Sequence, residues 1–269
     1  MEVEYVPLLR VLHDLYELPR GMERFQRYLE TVTGGTDDVV LPPLVAANPM
    51  AKPHVAACID ELLALDAEAV GERAAREAAE RLAAVDDDPL KVGLTVADDV
   101  AGSWTDRASA ETGAVLPAPR RRGYRPGAAR NRWVSAGLWS SDAPTADGVR
   151  RAVFSALFRA AWLRRSGPPA TFGEALDREG MIAAFAGEAP WLADAEVARA
   201  RTVIAPLAAD PDTPYTATFA ALFGDAAAES HGYAPLGLPP RAGFAVALAD
   251  ALASGRDPVA ALLATPPAR

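Results

Sequence analysis

Only two stretches of this chain alternate as a half-buried strand must, and that limits its architecture more than any other feature. Lys91–Ala97 places Val92, Leu94 and Val96 on one side, and Arg132–Ser140 places Trp133 and Trp139 on one face. Elsewhere apolar residues recur at helical spacing, interrupted by proline and glycine. Tyr5, Leu8, Leu9, Leu12, Leu15 and Tyr16 form such a series, so a helix is expected from Tyr5 to a stop at Pro19. Met22, Phe25, Leu29 and Val32 make the face of a second, ended by Gly34-Gly35. Val39–Met50 carries Pro42, Pro43 and Pro49, which exclude a regular helix or central strand, and reads as a buried, extended connector. Pro53 suits the first turn of a third helix reaching Leu65, and Asp66 is expected to cap a fourth over Ala67–Val85. Asp86-Asp87-Asp88-Pro89 then punctuates the chain.

Between the two strands, Ala110–Arg130 contains Pro117, Pro119 and Pro126 and reads as a long irregular loop, a kind that in compact domains is usually functional or disordered. Beyond the second strand, Thr145 or Asp147 starts a long helix through Arg164. Thr171, with Glu174 three residues on, forms a capping-box pattern for a helix to about Phe185. Shorter helices are expected at Asp194–Leu207, Tyr215–Phe223, Arg241–Leu252 and Asp257–Leu263, with His231–Pro240 as an ordered loop between two of them. The expected class is therefore α+β and predominantly helical, with helices around a small sheet whose strands lie near 91–97 and 132–140. Residues 1–88 form a helical N-terminal portion. Residues 89–269 carry the sheet and the C-terminal helices and pack with it as one compact unit.

Composition narrows the function. With 27 basic and 36 acidic residues the net charge is −9, which repels a nucleic-acid backbone, so no nucleic-acid partner is expected. No stretch reaches the roughly 18 apolar residues of a membrane helix, and the start Met-Glu-Val-Glu-Tyr-Val lacks a signal peptide's basic and apolar regions. Cys58 is the single cysteine, so no intrachain disulfide can form. A cytoplasmic protein with no membrane association is expected. Lys52 and Lys91 are its only lysines, and arginine with abundant alanine resembles the codon bias of a GC-rich bacterial genome. Arginine clusters carry less meaning on such a background.

Three stretches carry the residue types that chemistry needs. Asp98 and Asp99 leave the first strand, where neighbouring carboxylates can serve as base or Mg²⁺ ligand. After Gly102, which would let backbone approach a ligand, Trp104 would wall a pocket, Thr105 would donate beside Asp106, and Arg107 would clamp an anion. The same residues also suit a turn and helix cap, with Trp104 in the core. Arg120-Arg121-Arg122, Arg125, Arg130 and Arg132, with Tyr124 among them, form the one basic cluster, and guanidinium forks match carboxylate and phosphate oxygens. Asn48 through His54 enters a helix whose N-terminus favours anions, with Lys52 and His54 adding charge or protons. A proline-shaped helix entry with Asn48 as a turn residue is the structural alternative.

Metal chemistry finds little support. His13/Glu17 and His54/Cys58 are i,i+4 pairs, yet there is no H-E-x-x-H, C-x-x-C or EF-hand pattern. The G-x-S-x-G elbow, the phosphate loop and the dinucleotide G-x-G-x-x-G are missing as well, and no cofactor is indicated. His231, in Glu229-Ser230-His231-Gly232, reads more readily as a turn residue than as a catalytic one. The expected function is an enzyme acting on a small carboxylate or phosphate. Asp98, Asp99 and His54 would be catalytic, and Trp104, Thr105, Asp106, Arg107, Asn48, Lys52, Arg130 and Arg132 would bind the substrate. The alternative is a non-enzymatic interaction module presenting the helix at 66–85 and the arginine loop to a protein partner. Either is compatible with a homo-oligomer.

Overall fold

A computed structural model describes residues 1–85, 88–100, 105–116 and 132–266. Among them the chain is predominantly helical around a small sheet, an α+β protein. It divides into two compact units, the first of Met1–Asp106 with Arg122–Ala161, the second of Arg107–Arg121 with Trp162–Arg269.

Among the described residues the first unit holds a three-stranded, all-parallel sheet in the order β1 (Val3–Tyr5), β2 (Leu90–Ala97), β3 (Trp133–Trp139). β1 pairs Val3 with Leu90 and Tyr5 with Val92, and β2 pairs Lys91 with Trp133 through Ala97 with Trp139. The expected helix from Tyr5 therefore begins three residues late. Residues 3–5 go to the sheet edge, and α1 runs Leu8–Glu17. Gly93 makes this tight entry possible, because a Cβ there would stand 2.8 Å from the Val6 carbonyl and 2.6 Å from Leu8. Helices α2 (Met22–Thr33), α3 (Pro53–Ala64) and α4 (Ala67–Arg81) follow, with a 3₁₀ turn at Pro42–Ala46 inside the proline-broken connector. Pro53 stands at the start of α3 as its chemistry predicts. Asp66, expected as a cap, sits instead in the left-handed region (φ 55°) and makes no side-chain cap, because the turn from α3 into α4 is too tight.

α1, α3 and α4 all pack against β2, and the core is built from Leu8, Leu9 and Leu12 of α1, Ile59 and Leu62 of α3, and Val92 and Leu94 of β2, each at most 2% exposed. β2 is buried on both faces, as parallel strands are. α1 has no side-chain cap of its own. Its first amides are satisfied from α4, where the buried Glu68 carboxylate accepts from Leu9 N at 2.8 Å, Arg10 N at 3.3 Å and the Tyr5 hydroxyl. α6 (Ala146–Ser166) starts where Thr145 Oγ1 accepts from Gly148 N at 3.0 Å.

The second unit is helical: α5 (Arg107–Val115), α7 (Phe172–Ala186), α8 (Asp194–Ala209), α9 (Tyr215–Phe223), α10 (Asp225–Ser230), α11 (Ala242–Ser254) and α12 (Pro258–Ala264). The start of the stretch read as loop, residues 110–115, is thus the body of α5. Ala108, Ala110, Glu111 and Ala114 are good helix formers, and its terminal carbonyls find a buried donor in Arg178. Thr171 caps α7 as expected, accepting from Glu174 N at 3.2 Å, while the Glu174 carboxylate returns to Ala170 N at 2.6 Å. Phe172, Leu176, Ile204, Phe219, Leu222 and Val246 lie in one apolar cluster. α7 crosses α11 so closely at Gly180 that a Cβ would lie 2.2 Å from the Ala247 carbonyl oxygen. Gly180→Ala is therefore expected to destabilise the unit by about 1–3 kcal/mol despite alanine's better helix propensity, read as a lower midpoint in urea.

Candidate functional site

β2 and β3 run parallel and end in register, and ligand sites in open parallel sheets lie outside the carboxyl ends of the strands. Asp98 and Asp99 follow the last residue of β2, and Ser140 and Ser141 follow the last of β3. Ser140 N donates to Ala97 O at 2.9 Å, carrying the ladder one step beyond the sheet. The two carboxylates divide their work. Asp99 ties down the end of β3, accepting from Ser141 N at 3.0 Å and Ser141 Oγ at 2.7 Å. Asp98 points inward, its side chain only 3% exposed, and its Oδ1 lies 2.7 Å from Nε2 of His54. Val100 N at 3.4 Å and Ser140 Oγ at 3.3 Å also donate to that oxygen.

His54 reaches Asp98 because α3 begins at Pro53 and projects the first turn of the helix toward the end of β2. A carboxylate accepts and cannot donate, so the hydrogen in the bond belongs to Nε2 of the imidazole. Nδ1 of the neutral ring then carries the lone pair, and among the described residues it has no hydrogen-bond partner. The imidazole as a whole is one-third exposed. A buried carboxylate that fixes the tautomer and would stabilise the imidazolium is the support a general base requires.

The surroundings are weakly reactive. Cys58, one turn beyond His54, is buried, and its thiol is pushed up to about 11 by burial and by the charges of Glu61, Asp142 and Asp99. It stays protonated at neutral pH and is neither a nucleophile nor a ready metal ligand. The Tyr16 hydroxyl is pushed up to about 12, chiefly by burial, with Arg24 opposing and Asp98 adding to the shift. It donates to Asn48 O at 2.9 Å. His13 stands near Asp60 (3.3 Å) and Glu17 (3.8 Å). Among the described residues no group of three or more such ligands is placed to hold a metal ion.

Of the residues singled out from the sequence, His54, Asp98 and Asp99 meet at this edge. Lys52 is the exposed N-cap of α3, two residues before the imidazole. The Asn48 side chain is committed to its own turn, accepting from Met50 N at 2.9 Å. Thr105 N closes the loop after β2 by donating to Asp98 O at 3.2 Å, and Asp106 beside it is exposed. Arg107 belongs to the second unit, where its Nε donates to Glu111 at 2.9 Å and Arg241 meets the other oxygen at 2.6 Å. Arg132 stands at the amino end of β3, about 20 Å of extended strand from the carboxyl edge. Gly102, Trp104, Arg120, Arg121, Arg122, Tyr124, Arg125 and Arg130 lie outside the described residues. Ser140 and Ser141 were missed. Their signal was positional, since they leave β3 as Asp98 and Asp99 leave β2.

Compared with protein-family models, curated proteins and solved structures, the chain finds no significant match in any of the three. Among the described residues no helix is long and apolar enough to cross a membrane.

Proposed function

We propose that the chain is an enzyme acting on a small carboxylate or phosphate, with His54 as its general base and Asp98 as the group that orients and charges that base. The observation that carries this reading is the 2.7 Å contact between Nε2 of His54 and the buried Oδ1 of Asp98 at the carboxyl edge of a parallel sheet. Lys52 and the positive end of α3 supply the attraction for an anion. Arginine in place of lysine and the lone cysteine support a bacterial, cytoplasmic setting. An interaction module built on α4 has less support. Its small-residue stripe, Ala67, Gly71, Ala74, Ala75 and Ala78, is buried within the first unit, leaving a charged outer face.

Long-range ¹H–¹⁵N spectra of the imidazoles test the reading, since the chain has only three histidines. His54 is expected as the Nε2–H tautomer, and Asp98→Asn is expected to disturb that state. Titration with inorganic phosphate and with malonate should shift the His54 signals saturably, and Lys52→Ala should weaken the effect. Unmoved His54 signals with both anions would remove the anion-binding half of the reading. An Nδ1–H tautomer in the wild type would remove the catalytic half.

A further inference from the structure

We propose that Ser109 and His231, in the second unit, form a separate reactive site in which the serine is a nucleophile that small neutral carboxylic esters acylate. The pair belongs wholly to that unit, so it stands independently of the role given to His54.

Nδ1 of His231 lies 2.9 Å from the carbonyl oxygen of Ala227 and 3.1 Å from Ser230 Oγ. Ser230 Oγ itself donates to that carbonyl at 2.8 Å. A carbonyl only accepts, and the Ser230 hydrogen is already spent on it, so Nδ1 carries the ring hydrogen and shares it between the two oxygens. Nε2 is left with a lone pair, and 3.1 Å from it stands Ser109 Oγ. This is the order of roles in a serine–histidine hydrolytic pair, with a backbone carbonyl in the place a carboxylate usually takes to fix the tautomer.

Two further features suit the chemistry. Ser109 lies in the first turn of α5, a nine-residue helix whose aligned peptide dipoles favour negative charge developing on its oxygen. The imidazole packs against Phe219 (centroids 4.6 Å apart) and Tyr233 (5.9 Å), and Tyr215, 51% exposed, continues this aromatic surface outward from Tyr233. The wall is apolar, which fits the hydrocarbon part of an uncharged ester.

In the first step the Ser109 proton passes to Nε2 as Oγ bonds to the ester carbonyl carbon. The C–O bond to the alcohol then breaks, and the alkoxide leaves with the proton from Nε2. In the second step water gives its proton to Nε2 and attacks the acyl carbon. Oγ departs, recovers the proton, and a carboxylic acid is released. No other reactant is needed.

Diisopropyl fluorophosphate is the probe, since the same attack displaces fluoride and leaves a stable phosphoryl group. Intact-mass measurement and peptide mapping of the full chain are expected to show one adduct, on Ser109. His231→Asn keeps a donor for the Ala227 carbonyl but removes the base, and should slow labelling by about 100-fold or more in protein shown by circular dichroism to be folded. Ser109→Ala, at an exposed position, should abolish it. An unlabelled Ser109 in the wild type overturns the proposal without any variant, and equal labelling rates in wild type and folded His231→Asn overturn the role of His231.

Discussion

Arg178→Ala is expected to destabilise the second unit by about 3–5 kcal/mol, lowering its melting temperature on the order of 10 °C. The Arg178 side chain is only 1% exposed and that of Glu179 only 4%. Nη2 donates to Ala114 O at 3.0 Å, Val115 O at 2.7 Å and Glu179 Oε1 at 2.9 Å, and Nε donates to the same carboxylate oxygen at 3.1 Å. Truncation strips two carbonyls at the end of α5 of a charged donor and takes the Arg178 guanidinium away from the buried Glu179 carboxylate. The double substitution Arg178→Met with Glu179→Leu removes both charges together and should lose clearly less than the single one. Calorimetry of the three proteins decides the matter. If the double variant is as unstable as Arg178→Ala, the cost lies in the lost α5 carbonyl bonds or the packing, and the loss of the Arg178 charge beside Glu179 is not the cause.

Glu68→Ala should be nearly as damaging to the first unit. It leaves the buried Leu9 N and the part-buried Arg10 N and Tyr5 hydroxyl without their acceptor, and a fully buried orphan costs about 1–3 kcal/mol. Glu68→Gln keeps an oxygen in place and should recover much of the loss. The pH dependence separates wild type from glutamine. Burial pushes the Glu68 carboxyl above its ordinary range, against the opposing hydrogen bonds from Tyr5, Arg10 and Leu9. A group that holds its proton more tightly when folded favours the folded state on the acid side, and that contribution is lost as pH rises through the folded value. The stability of wild type relative to Glu68→Gln should therefore fall as pH increases from about 4. Urea unfolding at a series of pH values measures it, and an advantage that grows with pH would mean that the Glu68 carboxyl holds its proton less tightly in the folded state. The Tyr5 hydroxyl is raised as well, first by burial and then by Glu68, so it remains a donor throughout.

Periodicity made the longer elements of this fold legible before any coordinates. The two strands and most helices fall within a few residues of their expected places, because burial of one face leaves a pattern in the residues themselves. β1 left none. Three residues are too short to alternate, and Tyr5 equally fits the apolar series of α1. Glu68 and Arg178 were invisible for another reason. On a helix a charged residue reads as the solvent face, and only the partner it meets, 59 and 63 residues away in sequence, reverses that reading. The candidate site stood between these cases. His54, Asp98 and Asp99 could each be marked from their place at a helix entry or strand exit, but the bond between His54 and Asp98 spans 44 positions and belongs to the tertiary fold. Ser109 and His231 are 122 apart, and neither residue carries a local signature.

The edge strand also sets the order in which the first unit can assemble. Glu4 meets Lys91, 87 positions further along the chain, so β1 cannot find its place until β2 has been synthesised. Closing so long a loop is slow compared with forming the helices between. α1, α3 and α4 can collapse early from neighbouring contacts, while β1, held by three residue pairs, joins last and opens first. Hydrogen exchange should therefore find the amide of Val6, which donates to Val92 O at 2.8 Å, among the earliest protections lost, and Leu94 at the centre of β2 among the last.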